Sequence, residues 1–163
     1  MIKYNSNFLI KILIIFFILI FDQSTKYFVI NFFKNQNENL YLTSFLNIHL
    51  IWNNGIAFGL FNFNSDLFYN IVTMIISVIL IIIFVILVKT KNFNSYFYAL
   101  IIGGGLGNLI DRIHYSSVPD FIDFHIANLH WFVFNIADIF VSIGVFCLII
   151  VEIFFKDTFY EKN

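Results

Sequence analysis

The sequence predicts an all-α membrane protein, built as a bundle of four transmembrane helices. Of its 163 residues, 60% are hydrophobic and only 12% are charged, whereas a water-soluble domain of this length needs more polar residues to cover its surface. The apolar residues also fall into four segments of about 20 residues, the length that crosses the hydrocarbon core. No Pro/Gly/Ser-rich linker divides the chain, so we expect one domain over residues 1–163.

The first predicted span runs from Phe8 to about Phe33. Lys3 and Lys11 precede its apolar run, which could be mistaken for a secretory signal. The small-residue cleavage site of such a signal is missing, and the apolar pattern resumes after Lys26. We therefore expect a retained membrane helix.

The first loop, residues 34–66, contains a segment that predicts β-structure. From Leu40 to Phe61, apolar residues are mixed with Thr, Asn and His, which indicates short strands on the membrane surface. Gly55 allows a tight turn there. The remaining predicted spans are 67–88, 93–112 and 131–151, and a second loop covers 113–130.

Lysines near the span ends predict the orientation, because cytoplasmic loops carry an excess of Lys and Arg. These lysines are Lys3, Lys11, Lys89, Lys91, Lys156 and Lys162. Both termini and the connection between spans two and three are then cytoplasmic. The loops 34–66 and 113–130 lie outside.

Charge and cysteine content exclude two function classes. Nine Lys and Arg are offset by ten Asp and Glu, so the chain has no broad basic surface for nucleic acid. Cys147 is the only cysteine, which excludes an intrachain disulfide and a thiolate metal site.

Polar side chains gather near the outer ends of spans one, three and four. They are Asp22 and Lys26 in span one, Asn108, Asp111 and Arg112 in span three, and Asn135 and Asp138 in span four. Within each group the spacing of three or four residues places the side chains on one helix face. Asp22 and Lys26 are at least as well explained by a structural ion pair as by a catalytic role. For the group in span three, we favour a role in positioning other residues over a direct role in catalysis.

Four glycines leave one side of span three nearly bare: Gly103, Gly104, Gly105 and Gly107. Gly103 and Gly107 have the small-xxx-small spacing that lets membrane helices approach closely. A phosphate loop would need a preceding strand in a soluble βαβ unit. We therefore expect these glycines to serve helix packing.

Asp138 is the best candidate for a catalytic role. An unpaired carboxylate in the membrane raises the free energy by several kcal/mol, on the order of the values from membrane insertion experiments, so it needs a partner or a function. Asp120 is its candidate partner, since it follows the rigid Pro119 and is flanked by apolar residues. Asp123 is a second choice, better interpreted as a solvated or structural acid.

Two carboxyl groups in one site with little water share a proton, because ionising both at once is energetically unfavourable. Such a pair can activate water for attack on a peptide carbonyl and protonate the leaving amine. Other chemistries lack support, because there is no Gly-x-Ser-x-Gly elbow and no metal-site spacing among the histidines. The histidines are His49, His114, His125 and His130, which we interpret as loop or interface residues.

Five sequence blocks resemble the lipoprotein signal peptidases, also called signal peptidase II. The blocks occur in the same order as in the family and cover nearly the whole chain. They are Asp22-Gln23-Ser24-Thr25-Lys26, Asn53-Asn54-Gly55-Ile56-Ala57-Phe58, Gly103 to Arg112, Val118-Pro119-Asp120-Phe121 and Phe134-Asn135-Ile136-Ala137-Asp138. One block alone is weak, but five in this order on a four-span chain are highly specific.

The resemblance implies an aspartic endopeptidase of the bacterial cytoplasmic (inner) membrane, with Asp120 and Asp138 as its catalytic pair. The residues implied to shape the site or bind substrate are Asp22, Lys26, Asn53, Gly55, Asn108, Arg112 and Asn135. Family members cut diacylglyceryl-modified prolipoproteins on the amino side of the lipidated cysteine, at the outer membrane face. The fold implied is four transmembrane helices with a small extracytoplasmic β-sheet, formed by the first outer loop, that cradles the substrate.

We expect no cofactor or metal and a monomeric protein. The expected partners are lipid-modified prolipoproteins, which the resemblance implies as substrates, and membrane lipids. One residue departs from the family pattern. Ser116 stands where the family usually has Gly, in the turn before Asp120, and Ser tolerates the backbone expected there less freely.

Two other functions stay open from the residues alone. A non-enzymatic membrane scaffold or ion-conducting bundle also explains embedded charges, although it explains their grouping at one face less well. An aspartic protease of ordinary transmembrane peptides differs only in its substrate. Cleavage of one precursor with and without its lipid separates that enzyme from a lipoprotein peptidase.

Overall fold

The structure is a computed structural model that describes residues 6–34, 40–55, 66–126 and 129–155. Four helices and four strands occur in these ranges. The helices are α1 (Ser6–Lys34), α2 (Asp66–Lys89), α3 (Asn94–Tyr115) and α4 (Ile136–Phe154). The strands are β1 (Leu40–Tyr41), β2 (Leu46–Asn53), β3 (Val118–Ile126) and β4 (Leu129–Phe134).

Among the described helices, α1, α2 and α4 are long and apolar enough to cross a membrane. Their outward surfaces carry exposed large apolar side chains, such as Phe17 on α1, Met74 on α2 and Phe146 on α4. Exposed apolar surface of this extent is typical of a protein whose solvent is lipid. The mostly helical fold with membrane-spanning helices is confirmed.

Helix α3 is the centre of the bundle, since it packs against α1, α2 and α4. Its glycines make these contacts close. A Cβ on Gly103 would lie 2.9 Å from Cβ of Ile18 in α1, and a Cβ on Gly104 would collide with the backbone carbonyl of Ala137 in α4. The prediction that these glycines serve packing is confirmed at both positions.

The sheet is antiparallel in the order β1-β2-β3-β4. Strands β1 and β2 come from the first loop, as predicted for residues 40–53, whereas residues 56–61 of the predicted strand segment lie outside the described residues. Strands β3 and β4 come from the second loop and the start of the predicted fourth span. The expectation that the first loop alone forms the sheet is therefore wrong.

The predicted start of span four at Trp131 is also wrong. Residues 131–134 belong to β4, and α4 begins at Ile136 after the N-cap Asn135. The apolar residues of β4 continue directly into those of α4, and a short apolar run does not distinguish a strand from a helix. The N-cap supplies the boundary instead, because Asn at this position bonds the first free backbone N–H groups of the helix.

Helix α3 ends at Tyr115, and Ser116 follows it with φ 53° and ψ 24°. This is the left-handed region, and Ser116 is the one non-glycine residue with positive φ in the described ranges. Its N–H bonds the carbonyl oxygen of Arg112 and so closes the last helical turn. The turn before Asp120 therefore requires the backbone that favours glycine.

Candidate active site

Asp120 lies on β3, buried with only 2% of its surface exposed. Each of its carboxyl oxygens accepts one amide hydrogen bond, from Nδ2 of Asn53 at 2.8 Å and from Nδ2 of Asn135 at 2.6 Å. Burial, followed by the nearby charge of Asp138, raises the pKa of Asp120 to about 7. Since this is near neutral pH, the group is able both to give and to take a proton.

Asp138 lies in the first turn of α4 and takes part in a capping box. Its backbone N–H donates to Oδ1 of Asn135 at 3.1 Å, while its own Oδ2 accepts from the Asn135 backbone N–H at 3.2 Å. Its other oxygen, Oδ1, accepts from Nδ2 of Asn108 at 2.8 Å. The helix N-terminus and these donors all favour negative charge at this carboxylate.

Asn135 is the residue that connects the two acids. Its side-chain Nδ2 donates to Asp120, its Oδ1 accepts from the backbone of Asp138, and its backbone N–H donates to the Asp138 carboxylate. The side chain is fully buried, so these bonds fix its rotamer. Asp120 and Asp138, which are 18 positions apart in the chain, are thereby both hydrogen-bonded to Asn135.

Lys26 lies behind the acids in a buried ionic cluster. Its Nζ is 2.7 Å from Oδ2 of Asp22, 2.5 Å from Oδ2 of Asp111 and 3.0 Å from Oδ1 of Asn108. The predicted pairing of Asp22 with Lys26 is confirmed. Because Lys26 donates to Oδ1 of Asn108, the amide of Asn108 must turn its Nδ2 toward Asp138.

Asp22 also joins α1 to α4, because its Oδ1 accepts from the backbone N–H of Ala137 at 2.9 Å. Gln23, which the sequence did not mark as a site residue, also belongs to this cluster. Its Nε2 lies 3.1 Å from Oδ1 of Asp111 and 3.2 Å from the carbonyl oxygen of Gly107. Its only sequence signal is its place beside Asp22 in the first block.

Arg112 and Gly55 close the network on the sheet side. One guanidinium nitrogen of Arg112, Nη2, donates to the carbonyl oxygen of Gly55 at 3.3 Å, and Nη1 donates to that of Asn108 at 3.3 Å. The backbone N–H of Gly55 donates to Oδ1 of Asn53 at 2.8 Å. Asn53 is thereby oriented with its Nδ2 toward Asp120.

A β-bulge places Asn53 on the same face of the sheet as Asp120. The pairing of β2 with β3 shifts by one residue between Ile48 and Ile51, where β2 has one residue more than β3. Because side chains alternate between the two faces of a strand, the extra residue reverses which face the later residues of β2 present. Without it, Asn53 would share the face of His49.

Asp123 lies on the other face of the sheet, away from this network. Its carboxylate is 1% exposed and accepts from Nδ2 of Asn47 at 3.5 Å, with Nδ1 of His49 and of His125 at 3.8 and 4.0 Å. The alternative of a solvated acid is therefore wrong for Asp123. No group of three or more ligating side chains in the described residues has the arrangement of a metal site.

A cavity of about 230 Å³ contains both acids. Its polar wall consists of Asn53, Asn108, Arg112, Asp120 and Asp138, and its apolar wall consists of Ile76, Ile79, Leu80, Ile83, Ile101, Gly105, Val118 and Val141. Two acids beside one small cavity, with an apolar extension, form a site that can hold water and a peptide bond of an apolar substrate.

The nine residues that the sequence assigned to the site form one hydrogen-bonded set. From Asp22 the hydrogen bonds run through Lys26, Asn108, Asp138, Asn135, Asp120, Asn53 and Gly55 to Arg112. Since two carboxyl groups line one cavity, one proton shared between them supplies an acid and a base.

The chain is similar in sequence to known proteins of one family. The sequence model of the family described as signal peptidase (SPase) II matches residues 14–155. A lipoprotein signal peptidase of Pelagibacter ubique is 49% identical over 153 residues, which cover 93% of this chain and 92% of that protein. A second one, of Thermodesulfovibrio yellowstonii, is 43% identical over 131 residues, covering 80% and 86% of the two chains.

A solved structure described as a bacterial membrane enzyme is similar in fold as well as in sequence. Its TM-score is 0.71 at 33% identity, with 98% of this chain and 93% of that chain covered. The similarity therefore extends over the helices and the sheet together.

Proposed function

The chain belongs to the signal peptidase II family, and from that membership we propose that Asp120 and Asp138 are the catalytic pair of its reaction. The protein is a bacterial membrane peptidase that processes lipoprotein precursors. The observation that carries the assignment of the pair is that both carboxyl groups line one cavity and bond to the same residue, Asn135.

In the proposed reaction, the ionised carboxylate of the pair takes a proton from water as the water oxygen attacks the scissile carbonyl carbon. The protonated member donates to the carbonyl oxygen, which stabilises the tetrahedral intermediate. When the C–N bond breaks, the leaving nitrogen takes a proton from the pair. A hydroxyl group of the tetrahedral intermediate returns a proton to the pair as the carbonyl re-forms, so one proton is again shared between the acids. No covalent bond to the enzyme forms.

The surrounding residues position this pair. Asn53, Asn108 and Asn135 each donate to a carboxyl oxygen, and a buried acid with fixed donors keeps its rotamer. Lys26 donates to Asn108 and forms ion pairs with Asp22 and Asp111. Arg112 holds Gly55, which orients Asn53.

Replacing each acid tests the assignment. Asp120→Asn and Asp138→Asn keep the size of the side chain and remove the titrating group, so each variant accumulates uncut lipidated precursor in vitro. Asp123→Asn is the matched control, because this acid lies on the same strand outside the cavity, and its variant processes the precursor. Normal processing by Asp120→Asn or Asp138→Asn, at equal protein levels, would contradict the assignment of these acids as the catalytic pair.

We further propose that cleavage falls on the amino side of the diacylglyceryl-modified cysteine and depends on the lipid. The apolar wall beside the acids supports this proposal, since it suits a hydrocarbon group better than a polar peptide. One precursor is assayed with and without its diacylglyceryl group. The lipidated form is cut and the unlipidated form is not, whereas equal rates would contradict lipid-dependent recognition.

For the membrane arrangement, we propose that α3 crosses the membrane together with α1, α2 and α4. We also propose that the site lies at the outer face, that both termini are cytoplasmic and that the protein is a monomer. The central position of α3 among three apolar helices supports its spanning, and the lysine distribution supports the orientation. Lys3, Lys156 and Lys162 lie outside the described residues.

A further inference from the structure

The cavity follows one stripe of α3, formed by Ile101, Gly105, Asn108 and Arg112. These residues are separated by four, three and four positions, which places them on one helix face. The stripe is polar where Asn108 touches Asp138, and apolar further toward the N-terminus of α3. Gly105 lies about 4.5 Å along the helix axis from Asn108 and is the first residue of the apolar part.

Gly105 differs from the other glycines of α3 in what it faces. Gly103 and Gly107 face Ile18 and Asp22 of α1, and Gly104 faces the backbone of α4. Gly105 faces α2, where a Cβ would lie 2.5 Å from Cδ2 of Leu80 and 3.4 Å from its Cδ1. The neighbour is thus the end of a flexible side chain rather than backbone.

Leu80 is the side chain of α2 that covers this bare backbone. It is 7% exposed, whereas Ile79 beside it is 47% exposed, although both line the cavity. Across the cavity, Val141 lies one turn after Asp138 on α4. A group that extends from the acids toward Ile101 therefore passes Gly105 and Leu80.

We propose that Gly105 and Leu80 form the neck of an apolar subsite, which takes a hydrocarbon group of the substrate next to the scissile bond and limits its size. The inference rests on the proposed function of Asp120 and Asp138 as the catalytic pair. Two parts of a lipoprotein precursor have this chemistry: an acyl chain of the lipidated cysteine, and an apolar side chain of the signal peptide near the cut. In either case the neck selects by size, because Leu80 packs into the space of the absent Cβ of Gly105 and so leaves the cavity beside it open, whereas a Cβ on Gly105 would displace Leu80 into that cavity.

The test uses the full-length enzyme in detergent micelles and two series of synthetic lipidated precursors. In the first series the acyl chains lengthen at constant sequence. In the second series the residue before the lipidated cysteine changes from Ala to Leu at constant acyl length. The variants are Gly105→Ala, Leu80→Ala and the double variant, with Ile82→Ala as a control on the exposed surface of α2 outside the cavity.

We expect Gly105→Ala to lower kcat/KM for the largest member of one series about tenfold more than for its smallest member, the scale of one methyl group in a filled apolar pocket. Leu80→Ala shifts this ratio toward the large member. The double variant returns it toward the wild-type value, because truncation of Leu80 removes the atom that the new Cβ meets. Ile82→Ala leaves the ratio unchanged, and the series that responds identifies the group.

An equal loss for all members of both series in Gly105→Ala would overturn the proposal, and so would a double variant that recovers no selectivity. Cleavage of the smallest precursor by the wild-type enzyme, abolished in Asp120→Asn, tests the catalytic pair independently. A failure of the neck is thereby distinguished from a failure of the proposed function. The unfolding midpoint of each variant in micelles confirms that the folded enzyme is being compared.

Discussion

At the scale of single residues, the environment of Asp120 explains how an ordinary carboxyl group reaches a useful pKa. Burial and the neighbouring charge of Asp138 raise it, while the amide donors Asn53 and Asn135 oppose this rise. The two donors limit the shift, because a hydrogen bond to a carboxylate favours the charged form. The resulting pKa of about 7 suits proton transfer near neutral pH.

The first prediction concerns the pH dependence of cleavage. Activity of the wild-type enzyme falls as pH rises through about 7, because the proton that Asp120 holds is lost there. Asn53→Ala removes one donor to the carboxylate, which raises the pKa of Asp120 further and moves the alkaline limb of the kcat/KM profile to higher pH. Profiles of both enzymes with one lipidated precursor measure the shift, and a limb that stays in place or moves to lower pH would contradict this account.

The second prediction concerns Ser116, whose left-handed backbone is strained for a residue with a Cβ. Ser116→Gly relieves this strain, which is about 1–2 kcal/mol, but loses about 0.5–1 kcal/mol through the greater freedom of glycine in the unfolded chain. We expect the free energy of unfolding to rise by up to about 1.5 kcal/mol. Denaturant unfolding in micelles measures the change.

Ser117→Gly is the matched control for Ser116→Gly. Ser117 does not have positive φ, and its hydroxyl donates to the carbonyl oxygen of Tyr115 at 3.2 Å. Its replacement therefore lowers stability. Destabilisation by Ser116→Gly of the same size would show that the left-handed backbone carries no strain in the protein.

At the scale of secondary structure elements, the contact between α3 and α4 depends on Gly104. A Cβ there would collide with the carbonyl oxygen of Ala137 and lie 2.9 Å from Cγ2 of Val141. Because the carbonyl belongs to the first turn of α4, which also carries Asp138, a wider helix separation moves one acid away from the other.

The third prediction compares two neighbouring glycines. Gly104→Ala lowers the free energy of unfolding by about 2 kcal/mol, the usual cost of overpacking, despite the better helix propensity of alanine. Gly105→Ala costs less, because the end of the Leu80 side chain can turn away, whereas backbone cannot. Thermal unfolding of both variants in micelles gives the order, and a larger loss for Gly105→Ala would contradict the packing described.

At the scale of the whole molecule, the ionic cluster of Lys26 connects α1 with α3, and Asp22 connects α1 with the start of α4. The acids of the proposed catalytic pair and the charges that connect the helices thus belong to one network. Such a network is stable in a membrane protein only when each charge has partners, as Lys26 has with two carboxylates and one amide.

The fourth prediction concerns orientation. In a variant without the natural Cys147, a cysteine at Ser44 is labelled by a membrane-impermeant thiol reagent added to intact spheroplasts, because the proposed arrangement places this turn next to β2 outside. A cysteine at Lys91, between α2 and α3, is labelled only after the membrane is opened. Both side chains are exposed to solvent or lipid. Labelling of both positions from the same side would contradict the proposed arrangement.

The sequence by itself determined the apolar helices, the glycine packing face and the pairing of Asp22 with Lys26. These features are local, because they depend on segment length, side-chain size and the spacing of residues on one helix face. It also predicted a candidate pair of acids, since a carboxylate in an apolar segment needs a partner or a role.

Only the tertiary structure decided how the sheet is assembled and what surrounds the acids. Strands β2 and β3 come from distant segments, and the bulge that turns Asn53 toward Asp120 leaves no trace in local periodicity. The same holds for Asn135, which bonds both acids, and for Gln23, which bridges α1 and α3. Such contacts depend on how whole elements pack and pair in register, which the periodicity of a single segment does not specify.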